Sequence, residues 1–184
     1  MRVNMKSDLL KKAFKKRSAH EYVIFGVIIL LGIALDQLTK ILAVNFLKPI
    51  DELALIEGVL HLKFHLNDGA AFGMFSGQPF VFNTLSVLII LGMSFYVFAG
   101  HTESKLAALS SCMIISGGIG NMIDRIAFGE VTDFIYFKLI DFAIFNGADS
   151  FVCVGAGLLV LSLILEIVKE EKERRKKNNA SSGN

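Results

Sequence analysis

Three aspartates, Asp124, Asp133 and Asp149, fall within one stretch from Ser116 to Ser150 that reads SGGIGNMIDR, then GEVTDF, then FNGADS. Each stands beside or inside an apolar segment long enough to enter a membrane. A carboxylate at membrane depth is costly to desolvate, so it marks a functional site or a paired structural ion. Two carboxylates held close cannot both ionise easily and share a proton. One can then act as base on a water while the other acts as acid, which hydrolyses a peptide bond with neither metal nor covalent nucleophile. Of the three, Asp124 is followed by Arg125 and shares a helix face with Asn121, which fits a structural ion pair better. Asp133 and Asp149 lack an adjacent cation. Asp149 stands where a helix begins and the helix dipole favours its ionised form, while Asp133 lies on a loop or strand able to present it opposite. Unequal environments for two acids are what an acid/base pair requires. Cys112 and Cys153 have no histidine near them, and Ser150 has none to activate it, so thiol and hydroxyl nucleophiles fit less well.

The elements that must hold these acids are membrane elements. The chain has 184 residues, 53% of them hydrophobic, and a mean hydropathy of +0.57. Apolar residues gather in long blocks and charge gathers at the ends, unlike the even mixture of a soluble core. The expected fold is an all-α integral membrane protein: four transmembrane helices, at about 22–47, 80–99, 106–125 and 148–168, with a small extracytoplasmic β-sheet and loop region. Residues 1–20 read as a basic cytoplasmic extension, 21–168 as the membrane domain and 169–184 as a charged cytoplasmic tail whose end is disordered. The first apolar run is too long for a signal peptide and carries Asp36 and Lys40, so it reads as a retained helix. The basic clusters lack interleaved aromatics, so they read as flanks on the cytoplasmic side and not as a nucleic-acid patch. Two cysteines inside apolar blocks exclude a disulfide framework or zinc site.

Within this frame the polar residues converge. Asp36 and Lys40 are four apart in the first helix, acid first, and share one face. Leu60, Leu62, Phe64 and Leu66 alternate with His61, Lys63 and His65, the period of a half-buried strand. His61 and His65 then share its polar face; with no third ligand, no metal site is expected there. Asn67-Asp68-Gly69 is turn chemistry, and Gly69, Ala70 and Ala71 permit close approach of a backbone or lipid. Ser116 and Gly120 form a small-xxx-small pair for tight helix packing. Residues Glu130 to Phe137 are rich in β-branched and aromatic types and suit an extended segment. Asn146 is placed to cap the last helix, which begins near Ala148. With both termini cytoplasmic, Asn67, Asn121, Asp124, Asp133, Asn146 and Asp149 all fall at the outer surface, with Asp36 in the outer half of the first helix.

The motifs DQLTK (Asp36–Lys40), NDGAAF (Asn67–Phe72), GGIGNMIDR (Gly117–Arg125), VTDF (Val131–Phe134) and FNGADS (Phe145–Ser150), in that order, resemble those of lipoprotein signal peptidase, also called signal peptidase II. The resemblance covers residues 20–168. It implies an aspartic endopeptidase of the bacterial inner membrane that removes the signal peptide from diacylglyceryl-modified prolipoproteins, cutting before the lipidated cysteine. It implies that Asp133 and Asp149 are the catalytic dyad. Asn67, Gly69, Asn121, Asp124, Arg125, Asn146 and Ala148 would bind substrate or orient the dyad, and Asp36 and Lys40 would support it. It implies no cofactor and no metal, membrane lipid and prolipoprotein as partners, no nucleic acid, and a monomer. One departure is Gly147, where the family usually carries a bulkier aliphatic residue; glycine there weakens helix initiation and removes a packing group. Two other readings of the same acids are a proton- or ion-coupled transporter and a scaffold whose polar residues only lock the bundle.

Overall fold

The structure is a computed structural model that describes residues 17–69, 79–100 and 104–181. Helix α1 spans Ala19–Leu42. Ser18 opens it with a capping box: its hydroxyl accepts from the Glu21 amide while the Glu21 carboxylate accepts from the Ser18 amide, which satisfies donors that a helix start leaves unpaired. The last turn widens into a π segment, Ala43–Leu47. Phe25, Ile29, Gly32, Asp36 and Lys40 are the buried residues of α1; their spacing of three and four puts them on one face. The acid–base pair therefore continues the apolar stripe that packs into the bundle.

Helix α2 is Pro79–Phe98 and α3 is Lys105–Phe128. Helix α3 is the central one. Its buried residues, from Ala107 to Asp124, go round the helix, whereas most of the large apolar side chains of α2 and of the last helix, α4, are exposed. Phe25, Ile29, Val97, Ala108, Cys112 and Ile115 form the core where α1, α2 and α3 meet. Helix α4, Gly147–Ser181, starts at the site and runs far past the apolar block. The segment expected to end the helix near Val168 is helical to Ser181. The charges there sit at helical spacing, and Glu171 and Arg175 pair four residues apart at 2.6 Å, which adds to the good helix propensity of Glu, Lys and Arg.

Among the described residues three helices are long and apolar enough to cross a membrane: Ala19–Leu47, Lys105–Phe128 and Gly147–Lys176; in α2 the apolar stretch Asn83–Phe98 is shorter. A three-stranded antiparallel sheet, ordered β1-β2-β3, covers one end of the bundle. Its strands are Glu52–Ile56, Leu60–Asn67 and Val131–Tyr136. The β1–β2 hairpin turns through Gly58 at φ 68°. Strand β2 pairs with β3 so that His65 faces Asp133 and Asn67 faces Val131. An isolated bridge between Ile135 and Phe145 ties the loop after β3 back to it, and α4 begins two residues later. Residues 1–16 of the expected basic extension and all of the loop 70–78 lie outside the described residues.

Candidate active site

Four elements bring the site together: α1 with Asp36, Gln37 and Lys40; β2 with Asn67; α3 with Asn121, Asp124 and Arg125; and the β3–α4 passage with Asp133, Asn146, Ala148 and Asp149. Close approach is a precondition. A Cβ on Gly120 would run into the Asp36 carboxylate, and one on Gly117 into the Ala148 carbonyl. Glycine at both positions lets α1 and the start of α4 seat directly against α3.

The four carboxylates divide into two pairs. In the first, Lys40, buried at 4% exposure, reaches Asp36 Oδ2 at 2.9 Å and Asp124 Oδ2 at 3.1 Å. Its third proton goes to Asn121 Oδ1 at 2.9 Å. The ammonium has three protons and meets three acceptors. The ion pair expected at Asp124 is present, but its cation is Lys40 from another helix; the Arg125 guanidinium donates to the Gly69 carbonyl at 3.0 Å and the Asn121 carbonyl at 3.4 Å. Sequence adjacency points to Arg125 because an i, i+1 neighbour is close in the chain, yet on a helix such neighbours do not face each other. Gln37 completes this pair, its Nε2 lying 3.0 Å from Asp124 Oδ1, 3.1 Å from the Gly120 carbonyl and 3.2 Å from Asp36 Oδ2. Asp124 Oδ2 also accepts from the Thr132 amide at 3.2 Å, which fixes the start of β3, and Asp36 Oδ1 accepts from the Ala148 amide at 2.9 Å, which fixes the start of α4.

The second pair, Asp133 and Asp149, is held by amides. Asn67 donates to Asp133 Oδ2 at 2.8 Å and Asn146 donates to Asp133 Oδ1 at 2.6 Å. Asn121 donates to Asp149 Oδ1 at 2.7 Å. The backbone amide of Asn146 donates to Asp149 Oδ2 at 3.1 Å, and the Asp149 amide returns a bond to Asn146 Oδ1 at 3.0 Å. This reciprocal cap is the role expected of Asn146, and it locks the turn that carries Asp149. Fully buried, Asn146 thus grips both acids, and it also donates to Asn121 Oδ1 at 3.0 Å. Burial pushes the Asp133 carboxyl up to about 7, with the Asp149 charge adding to the rise and the Asn67 and Asn146 bonds and the Lys40 charge opposing it. A carboxyl with that affinity exchanges its proton near neutrality.

All eleven residues singled out from the sequence are drawn to this one end of the bundle. Asn67 also accepts from the Gly69 amide at 2.9 Å, so the turn orients its amide toward Asp133. Ala148 is fully buried and contributes its backbone. Gln37 and the Thr132 amide were missed. A glutamine beside Asp36 in an apolar helix is itself a signal, since a buried amide needs partners. Elsewhere, His61 Nδ1 lies 2.5 Å from Glu52 and His61 Nε2 accepts from the Gly58 amide at 3.2 Å, so both ring nitrogens are engaged within the β1–β2 hairpin. Ser150 donates to the Asn146 carbonyl at 3.0 Å.

Residues 28–165 match the protein family described as Signal peptidase (SPase) II. The chain is 38% identical over 160 residues to the lipoprotein signal peptidase of Halalkalibacterium halodurans, covering 86% of this chain and 100% of that one. It is 35% identical over 154 residues to the lipoprotein signal peptidase of Bacillus subtilis, covering 83% and 100%. A solved structure described as a bacterial membrane enzyme superposes with a TM-score of 0.74 at 28% identity, over 84% of this chain and 93% of that one. A second structure of the same description gives 0.68 at 30% identity, over 76% and 92%.

Proposed function

We propose that Asp133 and Asp149 are the catalytic pair of this chain, which belongs to the signal peptidase II family and is an aspartic endopeptidase of the membrane. The observation that carries the assignment is Asn146, which grips both carboxylates and, among the described residues, no other acid. With the chain in a peptidase family, the transporter and scaffold readings of these acids fall away. The substrate is a diacylglyceryl-modified prolipoprotein, and the bond cut precedes the lipidated cysteine.

The environments divide the labour. Asp149 lies at the start of α4, where the helix dipole favours its ionised form, so it acts as the base. Asp133, with its raised proton affinity, acts as the acid. A water held between them gives a proton to Asp149 and adds through oxygen to the scissile carbonyl carbon, while Asp133 gives its proton to the carbonyl oxygen. Collapse of the diol breaks the C–N bond: Asp149 protonates the leaving nitrogen and Asp133 recovers its proton. The Arg125 guanidinium and the Asn67 amide, both at the rim, hold the substrate backbone. Asp36, Lys40, Asp124 and Gln37 fix α1, β3 and α4 beneath them, and Gly69 and Ala148 contribute backbone groups.

In the membrane, α2 makes a fourth span beside the other three, both termini lie in the cytoplasm and the sheet lies outside the bacterial inner membrane. The basic residues before Glu21 and after Val168 support this orientation. Residues 21–168 form the protease domain, between the basic extension 1–20 and the tail 169–184. The enzyme works as a monomer in contact with lipid, uses no cofactor and binds no nucleic acid. The test is a gel-shift assay with purified protein and diacylglyceryl-modified prolipoprotein, beside unlipidated substrate and the Asp149→Asn variant. Signal-peptide loss only with wild-type protein and lipidated substrate is the expected result; cleavage of unlipidated substrate at the same rate would overturn the substrate assignment.

A further inference from the structure

A cavity of about 350 Å3 lies between α1 and the sheet, lined by Leu42, Ala43 and Leu47 of α1 and its π turn, Leu53 and Leu62 of the sheet, and Phe134. That volume is at the lower end of the roughly 300–1,000 Å3 of small-ligand pockets. Among the described residues Thr39 is the one polar residue in the lining, and its hydroxyl already donates to the Asp36 carbonyl at 2.8 Å. A polar ligand would lose its water there without replacement, and a water would find too few partners. The fitting occupant is therefore purely apolar. Because Phe134 follows Asp133 in β3, its side chain leaves the strand on the opposite face, and the occupant does not share space with the bond being cut.

The route into the cavity identifies the occupant. Leu35, Leu38, Leu42 and Phe46 are 54%, 52%, 45% and 70% exposed and recur every three or four residues, so they form one stripe along α1. Leu42 and Phe46 also line the cavity. A lipid tail lying against the membrane-crossing α1 meets the cavity end-on. Lys48 ends the same helix, its ammonium 5.5 Å above the Phe64 ring, and a positive charge at that end of a membrane-crossing helix suits an anionic headgroup. We propose that this cavity holds one acyl chain of an anionic membrane phospholipid, distinct from the substrate, wedged between α1 and the strand that carries Asp133. The inference rests on the membrane placement of α1, not on the assignment of the two aspartates.

The test is photolabelling of the full chain in nanodiscs that contain phosphatidylglycerol with a diazirine on one acyl chain, mapped by mass spectrometry. Label is expected on Phe46, Leu53, Leu62 and Phe134 at several times the yield on Leu88 and Leu91, which are exposed on α2. Ala43→Phe, which fills the cavity, should drop that label to the α2 level; Leu53→Phe at the more exposed rim repeats the test if the first variant does not fold. Asp149→Asn should label as wild type does, so a failure here is separate from a failure of the catalytic assignment. Uniform label along the exposed apolar residues, or label that survives both fillings, would overturn the proposal. So would label displaced by added diacylglyceryl-prolipoprotein, which would give the cavity to the substrate.

Discussion

The two carboxylate pairs sit side by side and are held in opposite ways. Asp36 and Asp124 share one buried ammonium at 2.9 and 3.1 Å; Asp133 and Asp149 are held by the amides of Asn67, Asn121 and Asn146. The ammonium ties both carboxylates to one buried cation, and its loss would leave their charge uncompensated in an apolar surround. An amide donor orients a carboxylate without fixing its charge, and so leaves a proton free to move. On the assignment proposed above, the same residue type is structural in one pair and reactive in the other. Asn121 joins the two, accepting from Lys40 and donating to Asp149, so the clamp also orients Asp149 while it holds the helices.

That contrast can be broken from either side. The largest effect is expected from Asp133→Asn or Asp149→Asn, each lowering cleavage by about 10²–10⁴-fold, the scale of lost acid–base catalysis, while the protein still inserts and melts cooperatively. Lys40→Met should instead cost about 3–5 kcal/mol of stability, since it leaves two buried carboxylates without their cation; a detergent melting curve reads it. Asn146→Ala removes the side-chain donor to Asp133 and the acceptor for the Asp149 amide, and should lower kcat by about 10²-fold, with about 1 kcal/mol lost at the α4 cap.

Melting against pH sharpens the comparison. The Asp133 carboxyl is raised from 3.8 to about 7 in the folded protein. Between those values the folded state keeps a proton that the unfolded chain has released, so this group's contribution to stability is full at low pH and falls as pH rises toward 7. Asp133→Asn lacks that slope. Its Tm advantage over wild type should be largest above pH 7 and shrink as pH falls toward about 4. The smallest effect belongs to Gly147→Ala. An added Cβ would meet Asp36 Oδ1 at 3.6 Å and Thr39 Oγ1 at 3.7 Å, ordinary contact distances, so the variant should gain about 0.5–1 kcal/mol from helix propensity, read as a higher Tm.

The site was legible in the sequence because a membrane makes polar residues conspicuous: Asp36, Lys40, Asn121 and Asp149 each interrupt or border an apolar run, and Asn146 sits where a cap must. The partnership of Lys40 with Asp124 was not legible, since it crosses from α1 to α3 and only the packing of Gly120 against Asp36 reveals it. Strand β1 was hidden because four of its five residues are exposed and no inside–outside alternation marks it. The end of α4 was misjudged because loss of hydropathy ends a membrane span, not a helix; Glu and Lys are good helix formers. The Gly147 departure proved sterically mild, as the turn it enters is fixed by Asn146 and by the Asp36 bond to the Ala148 amide.

The most direct test of the division between the pairs is single-turnover cleavage of lipidated prolipoprotein by Asp133→Asn and Asp124→Asn at neutral pH, with melting curves of both. The account predicts that Asp133→Asn melts no lower than wild type and cleaves at least about 10²-fold more slowly, while Asp124→Asn melts lower and its folded fraction cleaves within about tenfold of wild type. Near-normal cleavage by Asp133→Asn, together with an inactive but stable Asp124→Asn, would contradict it and make the lysine-held pair the reactive one.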